Sequence, residues 1–255
     1  MTTVKNIIIA STIGFLFSCS STDNKTDQTS VANFKTIDTT ISFTGYWLCK
    51  DYFESINNFN SPKKAQDNSE FIFIPDRTLK QTMMIANFHE GGPVLTILKN
   101  IDHYELWEIQ EDSLSQRLDK IEIIDKINIK IGDRLFVKIN PTKSDNSSRI
   151  LEEILFKGTY SNATGTTIEF KNTGQVIGLD NFKIYEPVID YIDAGMQVDQ
   201  IGLGQNKNEL EYFGFKFNKD TLELYKLNCL TFDSTDNRCV EVELGQLTHK
   251  LWKKK

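Results

Sequence analysis

Along most of the chain the apolar positions recur at every second residue. Ile127, Ile129 and Ile131 alternate with Asn128 and Lys130, and after Gly132-Asp133 the alternation resumes with Leu135, Val137 and Ile139 around Phe136 and Lys138. A period of two sends successive side chains to opposite faces of a strand, so each run predicts a strand with one buried face. Two such runs around Gly-Asp predict a hairpin, with Gly132 supplying the positive φ of a tight turn. A second hairpin is predicted where Ile168 and Phe170 precede Asn172-Thr173-Gly174 and the run 175–179. A third has Phe213, Phe215 and Phe217 before Asn218-Lys219-Asp220, then Leu222 and Leu224. Further strands are expected over 71–74, 79–88, 94–99, 104–109, 196–203 and 240–252.

Helical signals are few. Ser61-Pro62 reads as an N-cap followed by a first-turn proline, opening a short helix through Lys63 and Ala65. A second short helix is predicted over 113–119. Many short strands with one or two short helices predict an all-β fold, an antiparallel barrel or sandwich.

The N-terminus breaks the alternation. Lys5 precedes an apolar run from Ile7 to Phe17 interrupted only by Ser11, Thr12 and Gly14. About 11 residues fall short of the roughly 20 that a helix needs to cross a bilayer. The cationic start and the small Ser18 instead predict a signal peptide over 1–18. Leu16-Phe17-Ser18-Cys19 resembles the lipobox of bacterial lipoproteins, although Phe17 is bulkier than the family's usual second residue. The resemblance implies cleavage before Cys19, a diacylglycerol on its sulfur, and acylation of the new amino group by a fatty acid such as palmitate. A thiolate is the nucleophile such a reaction needs, and two or three chains at about 0.8 kcal/mol per buried methylene make a lasting anchor. An ordinary secretory leader that carries a cysteine is the competing reading. Ser20, in place of the Asp that favours inner-membrane retention in that family, points to the outer membrane and leaves its face open.

From Ser20 to about Thr40 the chain is almost entirely Ser, Thr, Asp, Asn, Lys and Gln, so 19–40 reads as the lipidated cysteine and a flexible tether. The body, 41–255, is long enough for one large or two small domains. A net charge of -6 provides no basic field for nucleic acid. Lys253 to Lys255 read as a solvated end. Beyond Cys19 stand Cys49, Cys229 and Cys239. Cys229 and Cys239 flank a polar stretch and can bridge a hairpin; pairing of Cys49 with either, or free buried thiols, are the other arrangements.

Phe43-Thr44-Gly45-Tyr46-Trp47 and Phe156-Lys157-Gly158-Thr159-Tyr160 share Phe, Gly and an aromatic at equal offsets, each at the head of a run of strands. Either this is chance in a Phe-rich chain, or it marks two related meanders, about 41–150 and 151–255, sharing one barrel or forming two domains. Gly45-Tyr46-Trp47 also resembles the G-x-W start of lipocalins and lipocalin-like lipoproteins. That resemblance implies an up-and-down barrel with Trp47 at its floor and a basic residue, Lys250, against the indole. Ile189-Asp190-Tyr191 is a partial counterpart of the family's T-D-Y turn, and the body is longer than the family's usual chain.

Chemistry is less marked. There is no phosphate loop, nucleophile elbow or H-E-x-x-H pair. His89, His103 and His249 share no ligand spacing. His89-Glu90 at a turn, and the acids Asp190, Asp193 and Asp199, are candidates for a catalytic or calcium site that read better as solvated turns. Phe213, Phe215, Phe217, Leu222 and Leu224 share one hairpin face that either fills a core or walls a ligand cavity. The expectation is a non-enzymatic, outer-membrane-anchored protein without cofactor or metal, binding a small hydrophobic ligand in its barrel. The alternative is an interaction lipoprotein with a filled barrel that binds an envelope protein or glycan.

Overall fold

The computed structural model describes residues 42–67, 69–74, 82–86, 88–111, 113–139, 147–191, 197–235 and 237–255. The leader, Cys19, the tether and Asp193 lie outside the described residues.

Among these, two antiparallel sheets follow the chain. The first comprises β1 (Gly45–Cys49), β2 (Phe71–Ile74), β3 (Thr82–Ala86), β4 (Glu90–Lys99), β5 (Tyr104–Gln110), β6 (Ser113–Ile123), β7 (Asn128–Ile131) and β8 (Arg134–Ile139). Each pairs with the next, and β8 returns to β1 to close a barrel. The second comprises β9 (Gly158–Ser161), β10 (Thr167–Phe170), β11 (Val176–Ile177), β12 (Ile184–Pro187), β13 (Gln200–Gly204), β14 (Leu210–Asn218), β15 (Thr221–Asp233) and β16 (Arg238–Lys253). Here β16 pairs back onto β9, and the edges are β11 and β12. Those edges touch through a Gln175–Ile184 bridge, Val176 N–H donating to Lys183 O at 2.9 Å and Tyr185 N–H to Gly174 O at 2.8 Å. The same up-and-down order therefore runs twice, and each meander builds its own sheet. Both lie in one compact unit with a continuous apolar cluster.

The period-two pattern explains the first barrel. Ile129 faces Phe136 and Phe136 faces Cys49 across the ladder, so these side chains share the buried inner face while Lys130 and Glu122 pair on the outside. Gly132 sits in the β7–β8 turn at φ 58. Strand β1 departs from the rule, because Tyr46, Trp47 and Leu48 are all buried. Trp47 points inward; the Tyr46 ring packs on Phe71 at 5.6 Å, and Phe71 on Phe88 at 4.9 Å. Over that outer patch lies α1 (Lys50–Phe59), whose Tyr52 ring is 5.4 Å from Phe88.

The two sheets start and close alike. The Trp47 indole N–H donates to Phe43 O at 2.7 Å, and the Tyr160 hydroxyl donates to Phe156 O at 2.9 Å. Gly45 and Gly158 have φ 114 and 147, a region that strains any residue with a Cβ. Lys138, the ladder partner of Trp47, sets its Nζ 5.3 Å from the indole; Lys253, the partner of Tyr160, sets its Nζ 5.8 Å from the phenol ring.

Three corrections to the sequence reading concern elements. Residues 113–119, predicted helical, belong to β6: Ser113 pairs with Gln110 across a turn where Glu111 takes φ 48, and tertiary pairing overrides the spacing of Leu114 and Leu118. Helix α1 was not predicted, nor was α3 (Ser148–Leu151), which continues into a π-helical turn, Glu152–Phe156. The predicted helix after Ser61 forms as α2 (Pro62–Ala65), and the Ser61 hydroxyl accepts from Lys64 N–H at 3.2 Å.

Candidate functional site

The α1–α2 turn of the first meander meets the second at Asp199, just before β13. Lys63 N–H donates to Asp199 Oδ1 at 2.8 Å, and the Ser61 hydroxyl bonds the same carboxyl. Burial pushes the Asp199 carboxyl above the usual range, opposed by those hydrogen bonds and by the charges of Lys63 and Lys64. Beneath lie Tyr52 and Tyr191. Burial first, then the Asp199 charge, raises both phenols, and Tyr191 Oη accepts from Gln200 N–H at 2.9 Å. Among the described residues the buried Tyr52 hydroxyl has no hydrogen-bond partner. A second polar tie crosses nearby in sequence, where His89 Nδ1 lies 2.7 Å from Asp190 Oδ2.

A cleft of about 290 Å3 opens at this junction. Its walls are Phe59, Ser61 and Lys64 from the α1–α2 segment, Val198 and Asp199 from the loop before β13, Phe215 and Phe217 of β14, and Leu244 of β16. Leu244 lies directly over Gly214, where any Cβ would stand 2.2 Å from its Cδ2, so the absent side chain makes room for that wall. The site is mixed, with Phe59, Val198, Phe215, Phe217 and Leu244 beside the polar Ser61, Lys64 and Asp199.

The structure divides the predicted cavity residues. Phe215 and Phe217 reach the cleft, while Phe213, Leu222 and Leu224 do not line it. Leu222 and Leu224 are 0% exposed, and Phe213 packs on Phe182 at 5.8 Å. Phe215 also fills the second core, edge-on to Phe156 at 5.0 Å. Trp47 is buried among inward residues of the first barrel, but Lys250 is not beside it. Lys250 Nζ binds Glu223 at 3.0 Å in the second sheet, and Lys138 takes the place over the indole. Burial lowers the Lys138 pKa, and its ammonium donates to Ser42 O at 2.6 Å. Lys253 and Lys254 are not a free tail: one covers Tyr160, and the other donates to Thr167 Oγ1 at 2.7 Å.

Cys229 and Cys239 are joined by a disulfide, and Cys49 is a buried free thiol. The three histidines stay apart, each facing its own carboxylates: His89 with Asp190, His249 with Asp180 at 2.8 Å, and His103 with Asp102 and Glu105. Glu105 also accepts from Trp107 Nε1 at 3.0 Å and Arg117 at 3.2 Å; hydrogen bonds, Trp107's foremost, hold its pKa down to about 2. Of the calcium candidate, Asp190 faces His89, Asp199 is held by the Ser61–Lys63 turn, and Asp193 lies outside the described residues. Among the described residues no three His, Cys, Asp or Glu side chains are placed to hold a metal ion, and no helix is long and apolar enough to cross a membrane.

No protein-family model, curated protein or solved structure matches the chain.

Proposed function

We propose that this chain is a lipid-anchored, non-enzymatic binding protein of the outer membrane that holds a small, largely apolar molecule in the cleft between its two meanders. The observation that carries this reading is the convergence of Phe59, Val198, Phe215, Phe217 and Leu244 on one concavity with a few polar groups beside them, the usual character of small-ligand sites. The lipobox-like Leu16-Phe17-Ser18-Cys19 supports the anchor, and the double up-and-down order with Gly-x-aromatic strand starts supports the lipocalin-like resemblance. In this reading the ligand lies between the two sheets, not within a barrel.

Both sheets and all of the described core lie in 42–255, so the chain without leader and Cys19 retains the whole described fold. Incubated with a lipid extract, that protein should retain apolar molecules in native mass spectrometry, and their addition should raise its melting temperature by mass action. Leu244→Asp, placing a charge in the apolar wall, should abolish both effects. Absence of any retained molecule and of any thermal shift would refute the reading.

One observation favours the interaction alternative. Among the described residues, strand β15 beyond Lys226 pairs only with β16, forming a ribbon stapled by Cys229–Cys239 with Leu230 and Phe232 each 58% exposed. Crosslinking of an envelope protein or glycan that disappears in Leu230→Ser/Phe232→Ser, with ligand retention intact, would support it.

A further inference from the structure

We propose that the end of the first barrel that carries the β4–β5 and β6–β7 turns rests on the bilayer, with Ile101, Ile124 and Ile127 set into the interface of a zwitterionic phospholipid leaflet. The inference rests on the lipid anchor of the reading above and adds which way the anchored body faces.

Turn tips ordinarily carry Gly, Pro, Asn, Asp or Ser. Here Ile101 stands in the β4–β5 turn 97% exposed, and Ile124 and Ile127 flank the β6–β7 turn at 56% and 51%. Tyr104 of β5 pairs with Ile121 of β6, so Ile101 and Ile124 each lie three positions beyond the same rung, on adjoining turns. A single exposed isoleucine is ordinary, whereas three at one end of a barrel make an apolar patch suited to an interface.

The chain toward Cys19 leaves from that same end. Just ahead of β1, Phe43 packs edge-on to Tyr104 at 5.0 Å. Lys138 joins the two features, its ammonium donating to Ser42 O at 2.6 Å and its backbone N–H to Ile127 O at 2.7 Å. Cys19 lies 23 positions before Ser42, a length that spans at most about 80 Å when fully extended. An anchor there keeps this end within reach of the surface without fixing how the body sits. Burial of the isoleucines supplies the preference.

The charges indicate the kind of surface. The two turns carry Asp102 and Asp125 against Lys126 and His103, and the His103 ring lies 2.5 Å from the Asp102 carboxylate. The stretches that begin at this end and lie outside the described residues, 75–81 and 140–146, carry Asp76 and Asp145 against Arg77, Lys80 and Lys143. With no marked excess of either sign, the end suits a zwitterionic leaflet and gains little from an anionic one.

In the chain lacking the leader, Cys49 is buried and Cys229 and Cys239 are bonded, which leaves Cys19 to couple to a maleimide-headed phospholipid in phosphatidylcholine vesicles. That attachment does not depend on acylation in the cell, so a failure here is distinct from a failure of the anchor. On the vesicles, amide hydrogen exchange should slow at 101–103 and 124–127 relative to the uncoupled chain, and stay unchanged at Glu111 in the β5–β6 turn of the opposite end. Ile101→Asn/Ile124→Asn/Ile127→Asn should abolish the slowing at an unchanged melting temperature, because all three side chains are exposed. Uncoupled, that variant should partition onto the vesicles about a hundredfold more weakly than the wild type, from about tenfold for Ile101 and about threefold for each half-exposed isoleucine. Salt between about 50 and 500 mM should change neither result.

Equal exchange in the coupled and uncoupled chains would overturn the inference and leave the anchor standing. So would slowing centred on Leu230 and Phe232, slowing that persists in the triple variant, or binding that needs phosphatidylglycerol and disappears at high salt. Slowing at these turns in a protein whose Cys19 carries no acyl group in the cell would remove the anchor and keep this end as the one that meets lipid.

Discussion

Arg149→Met should be among the most damaging single substitutions in the second meander. Glu152 opens the π-helical turn with its side chain 1% exposed, and Arg149, 11% exposed, contacts both carboxylate oxygens through Nη1, Oε1 at 2.6 Å. The Gly174 N–H is another donor to that carboxylate. Removing the guanidinium leaves a buried charge with little compensation, and breaking one side of a buried pair costs about 3 to 5 kcal/mol. At about 2 to 4 °C per kcal/mol for a body of this size, the melting temperature should fall by roughly 6 to 20 °C.

The pH dependence has a definite sign. Burial already holds the Glu152 carboxyl above its ordinary pKa, with Arg149 opposing, so the folded value rises further in the variant. A carboxyl whose folded pKa is raised destabilises the fold above that pKa and ceases to do so below its unfolded value near 4.3. The deficit measured by urea unfolding should therefore be full at pH 7 and shrink toward pH 4.5. Arg149→Met/Glu152→Gln should recover much of it at pH 7, giving a large coupling energy. A deficit below about 1 kcal/mol, or one that stays constant between pH 7 and 4.5, would show that the pair does not hold this turn.

Phe215→Ala should cost about 3 to 5 kcal/mol in urea unfolding, because the ring is 1% exposed and packs edge-on to Phe156 as well as reaching the cleft; a loss under 1 kcal/mol would mean it borders empty space. Non-reducing peptide mapping should recover Cys229 linked to Cys239, with Cys49 alkylated only after unfolding. Cys229→Ser/Cys239→Ser should lower stability by up to about 3 kcal/mol, the chain-entropy value for a loop near this size. Metabolic acyl labelling should mark the wild type and not Cys19→Ala, and label persisting in the variant would remove the anchor from the proposal.

The alternation of Ile127 to Ile139 and the turn at Gly132 were legible because a hairpin is a local event, encoded within a dozen residues. The repeat of Phe, Gly and aromatic at 43–47 and 156–160 was legible too, but not the count of sheets, which depends on where β8 and β16 return. The same gap explains Lys250. A lysine of the last strand, Lys250, is the one the resemblance sets against Trp47, whereas the strand that closes the first barrel is β8, and only its register identifies Lys138. Helix α1 was missed although Tyr52, Phe53, Ile56 and Phe59 recur at helical spacing, because it follows β1 without a break and its N-cap, Cys49, makes no side-chain cap that would mark a helix start. The cleft was half visible. Phe215 and Phe217 stand out in sequence, but their joining to Lys63 and Lys64 runs through Asp199, 136 positions from Lys63, and no local pattern records such a contact.

The way each sheet closes sets the pace at which the molecule can form. Trp47 finds its ladder partner 91 positions later, and Tyr160 finds its own 93 positions later. Neither aromatic can be covered by its lysine until every intervening hairpin has been threaded into order, and that ordering entropy is spent before the final pairing returns anything. Hairpins such as β7–β8 can form in microseconds, yet completion should lag by orders of magnitude. During that interval the ends of β1 and β9 stand as open edges, exposed to wrong pairing with each other, since both start with the same glycine and aromatic spacing. Refolding yield should therefore fall steeply as concentration rises, even where the finished protein is stable.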